Sequence, residues 1–161
     1  MSSPSTRLEE LGLRLPEVAA PLAAYVPAVQ VGNLVYTSGQ LPSVEGRLAS
    51  TGKVGAEVTS ESAAECAGLA ALNALAAIAA EVGGLDGILR VVKVTVFVAS
   101  DPGFTGHAQV ANGASQLLGD VFGGAGKHAR SAVGVAVLPL DSPVEVELIV
   151  EVAAKPTIRP L

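Results

Sequence analysis

The sequence predicts an α+β domain, a mixed β-sheet with two helices on one face. Three observations carry this. Residues 144–152 (VEVELIVEV) alternate Val144, Val146, Leu148, Val150 and Val152 against Glu145, Glu147, Ile149 and Glu151. That period of two belongs to a half-buried strand. Residues 60–82 repeat Leu69, Leu72, Leu75, Ile78 and Val82 at three- or four-residue spacing, which gives a helix one apolar face. The elements then follow as two strands, helix, strand, helix, two strands, with no internal repeat, and this order places both helices against one sheet.

Each element has its own local reason. Residues 5–14 (STRLEELGLR) read as a short helix, with Ser5 or Thr6 as cap and Glu9 and Glu10 in the first turn. Pro16, Pro21 and Pro27 keep residues 15–28 from being helical, so residues 1–24 form a short helix and an extended arm on a single domain of residues 1–161. Residues 28–31 (AVQV) and 34–38 (LVYTS) are strands about a tight turn at Gly32-Asn33. The glycine- and serine-rich stretch 42–56 reads as a loop with a short strand at 48–50.

The helix of 60–82 takes Ser60 or Ser62 as cap and stops at Gly83-Gly84. The β-branched run 89–99 (LRVVKVTVFVA) reads as a central strand buried on both faces. A second helix spans 104–122, weakened by Gly106, Gly113 and Gly119, and residues 123–128 form a loop. Residues 130–138 alternate as a strand ended by Pro139. The short connection Leu140–Pro143 then predicts an antiparallel pair with 144–152.

Composition narrows the functions. The 161 residues are 50% hydrophobic and 16% charged, with 3% aromatics and no Trp, so the core is aliphatic. An apolar chain of this size has surface to cover, which points to an oligomer. The net charge of −5 and the absence of any Lys/Arg run disfavour nucleic acid as a partner. Cys66 is the single cysteine, set in an Ala-rich stretch as a buried hydrophobe, so no intrachain disulfide forms. The polar, amphipathic start carries no secretory pattern and no apolar run reads as a membrane span, so the expected compartment is the cytoplasm.

Most reactive constellations fail on spacing. Gly126-Lys127 is followed by His128 and Gly52-Lys53 by Val54, so neither is a phosphate loop. His107 and His128 are the only histidines and no Cys pair exists, so no metal site is expected. Ser131, His128 and Asp141 lack the elbow of a nucleophilic serine, and His128 reads as a solvated loop residue. Arg130 differs. It opens a strand whose same-face residues are Ala132, Gly134 and Ala136, which leave space beside a guanidinium. Two roles stay open on spacing alone: a clamp for a carboxylate or phosphate, or an ion pair with Glu145 or Glu147 on a neighbouring strand.

The segments 25–42 (YVPAVQVGNLVYTSGQLP), VVKVTVFV, and Ala129-Arg130-Ser131 followed by AVGVAVLPLDSPVEVELIVEV resemble the RidA family, also called YjgF or L-PSP proteins, over roughly residues 22–153. The Arg-Ser strand, Leu138-Pro139 and the Val-Glu-Val-Glu strand carry the resemblance, and Thr37-Ser38-Gly39-Gln40 supports it. The longer N-terminus and the Asn-Gly-Ala-Ser tract of 112–115 mark a branch often labelled endoribonuclease-like. The resemblance implies a chorismate-mutase-like fold and a homotrimer, a trimeric barrel with ligand sites in clefts between subunits. It also implies cofactor-independent hydrolysis of 2-imino acids of the 2-aminoacrylate type to 2-keto acid and ammonia. Arg130 would hold the substrate carboxylate, Glu145 would orient the attacking water, and Tyr25 would cover the pocket. Ser38, Gly39, Asn112 and Ser131 would line it. Two positions depart from the commoner pattern: Ala132 replaces a frequent Cys and Gly134 a frequent Glu, which enlarges or depolarises the pocket. Two other functions remain in play, a non-catalytic sensor of small anionic metabolites and a ribonuclease.

Overall fold

The computed structural model describes residues 2–18 and 23–153. Residues 19–22, part of the expected N-terminal arm, lie outside the described residues. The elements are α1 (Pro4–Glu10), β1 (Ala28–Val31), β2 (Leu34–Thr37), β3 (Ser43–Val44), β4 (Arg47–Leu48), α2 (Ser60–Val82), β5 (Ile88–Ala99), α3 (His107–Phe122), β6 (Ala129–Val135) and β7 (Val144–Val152). A five-stranded mixed sheet in the order β1-β2-β7-β5-β6 carries α2 and α3 on one face, the α+β arrangement read from the sequence.

The pairing of β6 corrects the sequence reading. β6 runs parallel to β5, and β5 lies between β6 and β7, so the last two strands are not neighbours. The alternation through Val137 suggested a strand running to Leu138, but β6 stops at Val135 and Val137 is exposed. The freed residues lengthen the connection. A 3₁₀ turn at Pro139–Asp141, with Leu140 and Asp141 at positive φ, carries the chain over the end of β5, where Ala99 N–H donates to the Pro143 carbonyl.

Smaller departures have local causes. Ser3 caps α1 because Pro4 fits the first helical position, whose N–H has no partner in any helix. Thr59 caps α2, its hydroxyl accepting from Ser62 N–H, and Gly83 at φ 87 ends it as expected. The loop of 42–56 holds the β3–β4 hairpin about Glu45 and Gly46, both at positive φ as a type I′ turn demands. α3 begins at His107, three residues later than the periodicity suggested. β5 is central, yet only Val91, Val94, Val96 and Val98 are fully buried on its helix-covered face. Lys93, Thr95 and Phe97 on the other face are half-buried.

The core joins the helix-facing valines of β5 and β7 to Leu75 and Ile78 of α2 and Val110, Leu118 and Val121 of α3. α2 has the length and hydropathy of a membrane span, but most of it is buried inside this fold. Its alanines let α3 approach closely, and the closest point is Gly113, where a Cβ would overlap the Ala64 carbonyl. Gly68, one turn further along α2, would place a Cβ 3.4 Å from the Gly113 carbonyl oxygen, an ordinary contact. Gly113→Ala is therefore expected to lower stability by about 3 kcal/mol, whereas Gly68→Ala changes it by less than about 1 kcal/mol. Denaturant unfolding of both variants checks the contrast.

Candidate functional site

Arg130 sits at the start of edge strand β6, beside Val94 in the register. That position turns its side chain to the helix-covered face, under α3. Asn112 and Ser115 stand three residues apart on one face of α3, and both reach it. Arg130 Nη1 donates to Asn112 Oδ1 at 2.8 Å and to Ser115 Oγ at 3.1 Å. Both hydrogens of Nη1 are thereby engaged. The Nε and Nη2 edge has no partner among the described residues and can grip a carboxylate side-on.

The relay continues. Ser115 Oγ lies 2.9 Å from His128 Nε2, and His128 Nδ1 lies 2.5 Å from the Gly126 carbonyl oxygen. A carbonyl only accepts, so Nδ1 carries a proton, and in the neutral ring Nε2 then accepts from the Ser115 hydroxyl. Ser115 then presents a lone pair to Arg130. His128 is thus no solvated loop residue, because both ring nitrogens are engaged. The sequence reading missed Ser115 and His128 in this role. The signal available was the Asn112/Ser115 spacing on a helix.

The remaining expected residues gather elsewhere. Ser38 N–H donates to the Pro27 carbonyl and its hydroxyl to the Val26 carbonyl at 2.6 Å, which clamps the segment bearing Tyr25, whose ring is exposed. Gly39 lies directly against the Glu145 carboxylate, at a place where any Cβ would overlap it. Gln40 pairs with Val146 through both backbone groups and fixes this approach. Ser38, Gly39 and Glu145 therefore form a second cluster, and Ser38 ties to it the backbone that follows Tyr25.

Arg130 and Glu145 do not meet in one chain. β5 separates their strands, and Glu145 pairs with Phe97 on the open face while Arg130 sides with Val94 on the covered one. Lateral and axial offsets together put their backbones roughly 14 Å apart. The ion pair with Glu145 or Glu147 is ruled out on the same ground. Ser131, next to Arg130, points to the open face and accepts from Lys93 Nζ at 2.8 Å. Asp141 pairs with Lys53, so the rejected Ser131-His128-Asp141 set is dispersed.

Burial raises the carboxyl pKa of Glu145, and the charge of Glu147 adds to the effect. Its folded value lies above its unfolded value. The ionised carboxylate thus destabilises the fold at neutral pH, and the penalty disappears once both states are protonated. Glu145→Gln is expected to raise Tm by about 2–4 °C at neutral pH, with the gain vanishing below about pH 4. Thermal unfolding across that range measures it.

Comparison with known proteins places the chain in a family. The model of the YjgF/chorismate mutase-like, putative endoribonuclease family matches residues 5–152. Protein TCP17 of Trypanosoma cruzi is 44% identical over 148 residues, covering 91% of this chain and 92% of that one. Atu1372 of Agrobacterium tumefaciens, of unknown function, is 47% identical with a TM-score of 0.87, covering 93% and 92% of the two chains. Escherichia coli TdcF, solved with bound serine, is 27% identical with a TM-score of 0.62, covering 85% and 94%. The chain belongs to the YjgF/chorismate mutase-like family.

Proposed function

We propose that the protein is a cofactor-independent hydrolase of small 2-imino acids, working as a homotrimer with Arg130 as its carboxylate clamp. The observation that carries this is the guanidinium itself, held through Nη1 by Asn112 and Ser115 with its Nε and Nη2 edge open. The serine bound by TdcF is likewise a small molecule bearing a carboxylate.

The chemistry needs few groups. A 2-imino acid carries an electrophilic carbon. A water molecule, its proton taken up by Glu145, adds to that carbon. That proton passes to nitrogen to give a carbinolamine; the new hydroxyl then yields its proton to the amino group, the C=O bond forms as the C–N bond breaks, and ammonia leaves a 2-keto acid. A carboxyl whose pKa is raised by burial holds a proton more readily than a solvated one, which suits such proton exchange. Fixing substrate and water together supplies much of the rate by positioning. Because Arg130 and Glu145 lie on opposite faces of one sheet, a neighbouring copy has to bring its Ser38, Gly39 and Glu145 cluster, with Tyr25, to the Arg130 edge. The open sheet face carries exposed Val29, Val31, Tyr36 and Val133, which favours an assembly that covers it. An acidic chain without a basic footprint gives no support to the ribonuclease reading.

A coupled assay that generates 2-aminoacrylate tests the proposal. Arg130→Ala is expected to lower kcat/KM by about 100-fold, the size of a lost charge-assisted grip. Equally slow hydrolysis by both proteins sinks the deaminase reading, and thermal stabilisation by keto acids without turnover assigns a sensor instead. His128→Ala is expected to raise KM about fivefold with little change in kcat, because it loosens the guanidinium without removing it. Light scattering is expected to give the mass of three chains, and a single-chain mass removes the shared cleft.

A further inference from the structure

At the other end of β6 a second polar pair stands apart from the groups used so far. Ser100 follows β5 and His107 opens α3, and Ser100 Oγ lies 3.0 Å from His107 Nε2. Phe104 meets the imidazole edge-on, with ring centroids 5.2 Å apart and planes at 80°. The pair lies directly over Gly134, where a Cβ would sit 2.5 Å from His107 Nε2 and 3.2 Å from Ser100 Oγ. Gly55 and Gly106 lie as closely against Phe104, with a Cβ at 3.1 and 2.8 Å. Three positions without side chains thus make room for this histidine and its aromatic support. Gly134, a departure from the commoner family pattern, has a structural role here.

The chemistry of the pair follows from counting donors. One hydroxyl and one neutral imidazole carry two polar hydrogens, and their mutual hydrogen bond uses one. Either tautomer leaves one donor free, so the pair suits an acceptor oxygen. No carboxylate backs the imidazole among the described residues. The nearest candidate in sequence, Asp101, accepts from Gly103 N–H instead. A nucleophilic triad is therefore not assembled, and binding is the role the geometry supports.

Arg130, Ala132 and Gly134 point to the same face of β6, so the two ends of the row are roughly 13 Å apart along the strand. On α3 His107 precedes Asn112, which holds Arg130, by five residues, roughly 7.5 Å along the axis. A dicarboxylate with a hydrogen bond at each end reaches along that row, whereas a monocarboxylic acid such as 2-oxobutanoate engages the Arg130 end alone. We infer that Ser100 and His107 form a distal subsite that selects a 2-imino or 2-keto acid whose side chain ends in a carboxylate. This rests on the reading of Arg130 as the proximal carboxylate clamp.

Calorimetric titration of the full-length protein with 2-oxoglutarate and with 2-oxobutanoate tests it. Wild type is expected to bind 2-oxoglutarate at least tenfold more tightly. His107→Leu should abolish that preference and leave the Kd for 2-oxobutanoate within twofold. Ser100→Ala, the milder change, should reduce the preference about threefold, and circular dichroism confirms that both variants fold. Equal wild-type affinities, or a His107→Leu loss that is the same for both ligands, overturn the subsite. Arg130→Ala separates the two claims: if it binds 2-oxobutanoate as wild type does, the proximal clamp fails whatever His107 does. Binding of neither acid by wild type overturns both.

Discussion

Parallel pairing of β5 with β6 determines where each functional group sits. Two adjacent parallel strands cannot be joined by a tight turn, so the chain between them has to cross the sheet, and here it does so as α3. The crossover lays α3 against β6 and brings Asn112 and Ser115 to Arg130. It also makes β6 an edge strand, so the row Arg130, Ala132, Gly134 has a free border. Were β6 paired with β7, Arg130 would face a glutamate-bearing strand directly, and a salt bridge would compete for the guanidinium.

The same topology divides the chemistry into two halves. The cationic half is hydrogen-bonded on one side only, which orients the guanidinium and keeps its other edge available. The acidic half is a partly desolvated carboxyl pressed against Gly39. Each half is tied to a rigid element: Asn112 and Ser115 to α3, and Glu145 to the β7 register through Gln40 and Val146. Positioned groups of this kind lose little freedom when a ligand arrives, which is how a small site of few residues gains selectivity.

Much of this was legible in the sequence. The strands 28–31 and 144–152 and the helix 60–82 matched the structure at both ends, because periods of two and of 3.6 are strong signals when caps and glycines bound them. Arg130 stood out as a cation beside small residues. Strand order was not legible, since a short apolar connection after Val135 reads equally as a hairpin or as a step over a neighbouring strand. Nor was the company kept by each residue. His128 looked like a loop histidine because its partners, Ser115 and the Gly126 carbonyl, are set by the packing of α3 and by a 3₁₀ turn. His107 gave no signal because the space it fills is created by Gly134, across the crossover.

Local rules are broken where the function is proposed, and the breaks have a common direction. Gly134 weakens an edge strand, Gly113 weakens a helix interior, and Glu145 is an acid held partly out of water. In isolation each destabilises the fold. Together they serve one end. Gly113 lets α3 settle onto α2 and so fixes the height of Asn112 and Ser115 above β6. Gly134 admits His107 at the far end of the same row, and Glu145 holds a carboxyl in a poorly solvated place. A core of small aliphatic residues tolerates these losses because α2 and β7 bury almost unbroken apolar faces. Stability comes from that half of the molecule, and this leaves β6 and α3 free to be shaped by the ligand site proposed for them.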